Sequence, residues 1–164
     1  MMEQVEQKQT AVFNDYARYY DLLYRDKDYK AEADYVAGLI HRFHPDARSI
    51  LELGSGTGKH ALLLGQKGFS VYGVERSQEM LKIARQHAAN HSDVLPSNLR
   101  FFQGDIRTIR LQKHFDVVIS LFHVISYQTT NDDVTAAFRT AREHLNPGGI
   151  FIFDVWYGPA VLTQ

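Results

Sequence analysis

Between Ser49 and Gln66 the chain reads SILELGSGTGKHALLLGQ: an apolar run passes through glycines at 54, 56 and 58 into a helical pattern. Glycine has no Cβ, so backbone at these positions can turn tightly and approach a ligand closely. The helix beyond it begins with free N–H groups and the positive end of its dipole. Strand, glycine turn and helix in that order restrict the fold to βαβ units.

The remainder keeps the alternation. Phe69 to Val74 reads as a second strand ending at Glu75, and Ser77 as the N-cap of a helix that buries Met80, Leu81 and Ala84. A polar loop with Pro96 leads to a third strand, Leu99 to Gln103, closed by Gly104-Asp105. Phe115 to Leu121 is apolar apart from Asp116 and Ser120, as expected for a strand buried on both faces. Val134, Ala137, Phe138, Ala141 and Leu145 recur at helical spacing, Asn146-Pro147-Gly148-Gly149 reads as a turn, and Ile150 to Val155 as a fifth strand. The expected fold is α/β, a Rossmann-like doubly wound parallel sheet of order 3-2-1-4-5 with its crevice between strands 1 and 4. Upstream, Val36, Leu39, Ile40 and Phe43 form one helical face ended by Pro45. An aromatic segment from Val12 to Tyr24 (Phe13, Tyr16, Tyr19, Tyr20, Tyr24) reads as a short helix. The expected division is a disordered tail over 1–10, N-terminal helices over 11–46 and a cofactor-binding domain over 47–164.

Composition narrows the partners. The 164 residues suit one domain, and 45% hydrophobic content suffices for a core. A formal charge of −1 supplies no basic field, so no nucleic-acid partner is expected. Without cysteine, disulfides, thiolate metal sites and thiol catalysis are excluded. The N-terminus lacks an apolar signal region, and no run approaches the ~20 apolar residues of a membrane span, so a soluble cytoplasmic protein is the expectation. His87 and His91 are spaced i, i+4, but the HExxH pattern is absent and they lie on a polar helix side; no metal site is expected.

Three nucleotide-binding patterns compete for the turn. The P-loop pattern fails, because Gly58-Lys59 is followed by His60. The dinucleotide pattern G-x-G-x-x-G/A is met by Gly56, Gly58 and Ala61, which leaves an NAD-dependent oxidoreductase as the alternative. The pattern E-x-G-x-G-x-G is met in full by Glu52, Gly54, Gly56 and Gly58. About 20 residues on, Glu75 stands where a carboxylate can accept from both ribose hydroxyls of a nucleoside.

LELGSGTGKH, VYGVERS, FFQGDIR, FDVVISLF and LNPGGIFIFDV, in that order between Tyr16 and Val155, resemble the successive motifs of class I S-adenosylmethionine-dependent methyltransferases. The resemblance implies S-adenosylmethionine as cofactor, lying over Gly54, Ser55 and Gly56. It also implies that Asp105 accepts from the adenine amino group, with the Ile106 N–H facing the ring and Met80 as an apolar wall. Glu52 would face the cofactor's amino-acid end, and Leu121 would belong to the cofactor site at the end of strand 4. YYDLLYRDKDYKAEADYV (19–36), FHVISY (122–127) and DVWYGP (154–159) resemble the nucleotide-sugar N,N-dimethyltransferase type, which acts on small-molecule acceptors. There Tyr20 would cover the cofactor, and His123 and Tyr127, the catalytic candidates, would lie by the acceptor.

That family continues past the fifth strand, whereas nine residues remain here after Val155. The expectation is a chain incomplete at its C-terminal side, or one whose sheet edge is covered by another chain, as in a homodimer. A cofactor-binding module without turnover is then a further alternative.

Overall fold

The computed structural model describes residues 23–158, apart from 92 and 95. Five strands, β1 (Ser49–Leu53), β2 (Ser70–Glu75), β3 (Leu99–Gln103), β4 (Phe115–Ser120) and β5 (Leu145–Phe153), form one sheet in the order β3-β2-β1-β4-β5. All four pairings are parallel, as predicted. Helices α1 (Tyr29–Phe43), α2 (Lys59–Gln66), α3 (Gln78–Ala89) and α4 (Asn131–Glu143) cover the sheet. Ser77 caps α3 by accepting from the Met80 N–H (3.3 Å), as its position predicts. Among the described residues no helix is long and apolar enough to cross a membrane.

Period-2 alternation divides β1 between two cores. Ile50 packs with Val71, Val117 and Ile119 beneath Val36, Ala37 and Ile40 of α1 and Leu64 of α2. Leu51 and Leu53 point the other way, toward Val74, Val118 and Ala137 and Ala141 of α4. Full burial of each such Leu, Ile or Val side chain contributes about 1.5–3 kcal/mol. The same alternation turns Glu52 toward α2, 1% exposed.

Two expectations about packing need correction. The buried face of α1 is Ala33, Val36, Ala37 and Ile40, and Phe43 is 61% exposed. The small alanines let α1 lie close to the domain on a face rotated away from Phe43, whose ring the Arg42 guanidinium covers at 5.2 Å. The fifth strand also begins at Leu145, so Asn146-Pro147-Gly148-Gly149 lies within it and Leu145 is not helical. Its register shifts between Phe115 and Val117, and Gly148 takes a φ of +80°. A Cβ on Gly149 would stand 2.9 Å from the Asp116 carbonyl oxygen, so the glycine admits a close backbone approach at an irregular strand entry. Pro147 lacks an N–H but lies in the outermost strand of the described sheet, where none is required of it.

Asp116 fastens three strand starts. Its Oδ2 accepts from the Arg48 N–H (2.9 Å), the Ser49 N–H (3.0 Å) and the Ser49 hydroxyl (2.9 Å), and its Oδ1 from the Asn146 amide (3.0 Å). Burial pushes this carboxyl up, but the donors more than offset it and hold the pKa at about 2. Asp116→Ala is expected to cost about 2–3 kcal/mol near neutrality, since hydrogen bonds to charged groups are lost. With the folded pKa depressed, that stability is present above the ordinary aspartate range and fades as pH falls toward 2. Thermal melts of both proteins from pH 7 to 2 should therefore converge at the acid end.

Candidate functional site

The glycine turn leaves β1 at the point where the sheet order reverses. Gly54 and Ser55 both donate their N–H to the Val74 carbonyl (2.8 and 3.0 Å), which holds the turn over the end of β2. Gly54, Gly56 and Gly58 have φ of +80°, +54° and +76°, a region that disfavours any side chain. Their surroundings differ. A Cβ on Gly54 would collide with Val124 and one on Gly58 with Phe101, whereas one on Gly56 would meet only Met80 Sδ, at 3.9 Å. The open space of the turn is thus above Gly56, with Met80 (7% exposed) as its wall.

Glu75 lies beside that space. Its Oε2 accepts from the Gly56 N–H (3.0 Å) and its Oε1 from the Ser77 N–H (2.8 Å). Burial raises its pKa despite these donors. A carboxylate has about four lone-pair directions, so acceptor capacity remains beyond the two bonds already made.

Asp105 is tied to Arg107, which reaches its Oδ2 at 2.6 Å and also Asp133 Oδ1 of α4 at 2.8 Å. The Arg107 side-chain bond foremost holds Asp105 below the usual carboxylate range. Ile106 and Leu121 are buried, the first in the core on the α4 side and the second in the core beneath α1.

Glu52 accepts from the Ala61 N–H, but its buried Oε2 has no hydrogen-bond partner among the described residues. Burial, and then the charge of Glu75, push its pKa up to about 8. A buried carboxyl oxygen left unpaired points to a missing donor. Ser55 Oγ is likewise buried and unpartnered among the described residues.

At the ends of β4 and β5, Phe122 and His123 adopt φ of +62° and +63° in succession. Bulky residues held there mark a locally strained, over-determined loop. Asp154 fixes it: Oδ1 accepts from the His123 N–H (2.9 Å), and Oδ2 lies 3.5 Å from His123 Nδ1. Trp156, half exposed, has its ring 5.8 Å from that of His123 and 5.6 Å from that of Tyr127, itself 61% exposed. His123 and Tyr127 thus share one aromatic surface, on the same side of the sheet as the glycine turn. Tyr20 lies outside the described residues.

Several residues here escaped the sequence reading. His60 is 6% exposed, with Nε2 2.8 Å from Glu32 Oε2 and Nδ1 3.8 Å from Glu52 Oε1. Lys27 pairs with Glu32, and its ammonium also lies 4.4 Å from the Phe122 ring centroid. Arg107, Asp133 and Asp154 were also missed. Their partners lie as much as 31 residues away, so no local pattern announces them. Trp156 carried the one usable signal, as the sole tryptophan in an aromatic run after the last strand. His87 and His91 direct Nδ1 to the Thr57 and His87 carbonyls (2.9 and 2.8 Å).

A family model described as "Methyltransferase domain" matches residues 50–149. The chain is 37% identical over 152 residues to the dTDP-3-amino-3,4,6-trideoxy-alpha-D-glucopyranose N,N-dimethyltransferase of Streptomyces venezuelae, covering 92% of this chain and 61% of that one. Among solved structures, Streptomyces venezuelae DesVI superposes with a TM-score of 0.77 at 36% identity, over 88% of this chain and 59% of that one. SAM-bound CalS10, an amino pentose methyltransferase from Micromonospora echinaspora, gives 0.76 at 34% identity, over 86% and 57%. The chain spans about three-fifths of the length of such relatives.

Proposed function

We propose, on the premise that the chain belongs to the S-adenosylmethionine-dependent methyltransferases whose domain model it matches, that it methylates the amino group of a nucleotide-linked sugar. The observation that carries the cofactor half is Glu75 bonded to the Gly56 N–H at the one open glycine of the turn. The residues fit the group: Glu75 retains acceptor capacity for ribose hydroxyls, Met80 offers an adaptable apolar wall, and the unpartnered Glu52 oxygen suits an ammonium. Asp105 would accept from the adenine amino group, and the Ile106 N–H would face the ring. The family match leaves the NAD alternative without support.

Bound S-adenosylmethionine supplies a methyl carbon already activated by its positive sulfur. The protein's tasks are therefore to align the acceptor and to exclude water. The acceptor half rests on the amino-sugar dimethyltransferase relative and on the surface of His123, Tyr127 and Trp156. A sugar ring lies against Trp156, and Tyr127 bonds a hydroxyl or the amine. Asp154 Oδ2 lies 3.5 Å from His123 Nδ1 without a hydrogen bond between them, and Nε2 would orient the neutral amine and receive its proton.

Calorimetric titration with S-adenosylhomocysteine and with NADH tests the first half; binding of NADH alone would overturn it. Methyl transfer from labelled S-adenosylmethionine to a dTDP-linked 3-amino sugar tests the second. Because the chain spans three-fifths of its relatives, binding without transfer would identify a cofactor-binding module instead. If transfer occurs, His123→Ala should lower kcat by about 100-fold. Turnover by His123→Ala and Tyr127→Phe that matches the parent at every pH would leave positioning alone.

A further inference from the structure

Glu52 of the proposed cofactor site forms a buried pair with His60, to which the proposed methyl transfer gives no part. His60 stands in the first turn of α2, two residues beyond the left-handed Gly58, and so faces back toward the end of β1. On its outer side, Glu32 of α1 is held below the usual carboxylate range: burial opposes this, but Lys27 and His60 outweigh it. An ionised carboxylate can only accept, so His60 Nε2 carries the hydrogen toward Glu32. Burial lowers the His60 pKa, which leaves the ring neutral and its Nδ1 lone pair open toward Glu52 Oε1, 3.8 Å away. Glu52, its pKa raised, carries a proton on the inner side.

We propose that Glu52 carries a proton which, when a ligand ammonium arrives at Glu52, passes to His60 Nδ1 rather than to solvent. The inference rests on the cofactor reading of the site. In the step the O–H bond of Glu52 breaks and an N–H bond forms on His60. The pair changes from two neutral groups to carboxylate and imidazolium, with no change in total charge. The imidazolium then lies between Glu52 and Glu32. Other charged groups facing the pair are Lys27 beside Glu32, Glu75 at the end of β2 and Asp154 after β5. Glu75 disfavours a second carboxylate at Glu52 until a cation arrives, Asp154 favours the imidazolium, and Lys27 opposes it. The arrangement lets a buried acid ionise for its ligand without exporting a proton.

S-adenosylhomocysteine is the probe, titrated calorimetrically near pH 7 in buffers of different protonation enthalpy. The parent protein should bind with no net proton release and with a Kd independent of pH between about 6 and 7.5. His60→Gln should release about one proton per ligand, and its Kd should tighten roughly tenfold for each unit that the pH rises toward the Glu52 pKa. Glu52→Gln added to that background should abolish the release. A parent that releases a proton overturns the proposal, as does His60→Gln binding without release. If His60→Gln does not fold, the parent's proton count and pH slope decide alone. Absence of any binding overturns the cofactor reading and this proposal with it, whereas binding with the wrong proton count overturns only the latter.

Discussion

Glu75→Ala is expected to weaken S-adenosylhomocysteine binding by roughly 10- to 100-fold, because charge-assisted hydrogen bonds of about 1.5–3 kcal/mol disappear. The loss has two parts. The carboxylate itself would no longer accept from the ligand, and the Gly56 and Ser77 N–H groups would lose the acceptor that sets the turn. Glu75→Gln separates them. Its amide oxygen can still accept at one position, but its NH2 cannot accept at the other, so affinity should fall between parent and alanine variant. Calorimetry gives the affinities and thermal melts the stability. If Glu75→Ala lowers the melting temperature while leaving affinity intact, Glu75 only braces the turn and the ribose assignment is wrong.

Gly54→Ala should have the larger effect on folding, about 2–5 kcal/mol in chemical denaturation. The left-handed backbone costs about 1–2 kcal/mol for a residue with a Cβ. Overpacking adds about 1–3 kcal/mol, because the new atom would stand 2.6 Å from a methyl of Val124. Val124 is β-branched and stiff, and it opens the 3₁₀ turn that ends at Tyr127, so it cannot yield without moving that turn. Gly56→Ala is the internal control: it has the same backbone penalty but open space, so its stability should change by about 1–2 kcal/mol while ligand affinity suffers. Equal stability losses in the two variants would show that the Gly54–Val124 contact is unimportant.

What was legible in the sequence was what local order encodes. The alternation of strand and helix, three glycines after the first strand and the Ser77 cap all depend on neighbours in the chain, and the structure has each in place. The fifth strand was misread because Pro147 and two glycines signal a turn, while an outermost strand tolerates them. The face of α1 was misread because large residues outweigh alanines in a periodicity count, yet close packing selected Ala33 and Ala37. The Glu32–His60–Glu52 chain spans three elements, and Glu32 reaches His60 across 28 positions, so no spacing rule could reveal it.

Arg107 links the loop after β3 to α4 by holding Asp105 and Asp133 at once. In the proposed reading Asp105 forms the base-side wall of the cofactor site, and that wall is anchored to a helix rather than carried on a free loop. Tolerance for a cofactor analogue with an enlarged base would then be governed by how firmly α4 holds the guanidinium. Base selectivity could be adjusted from Asp133, a residue that never touches the base.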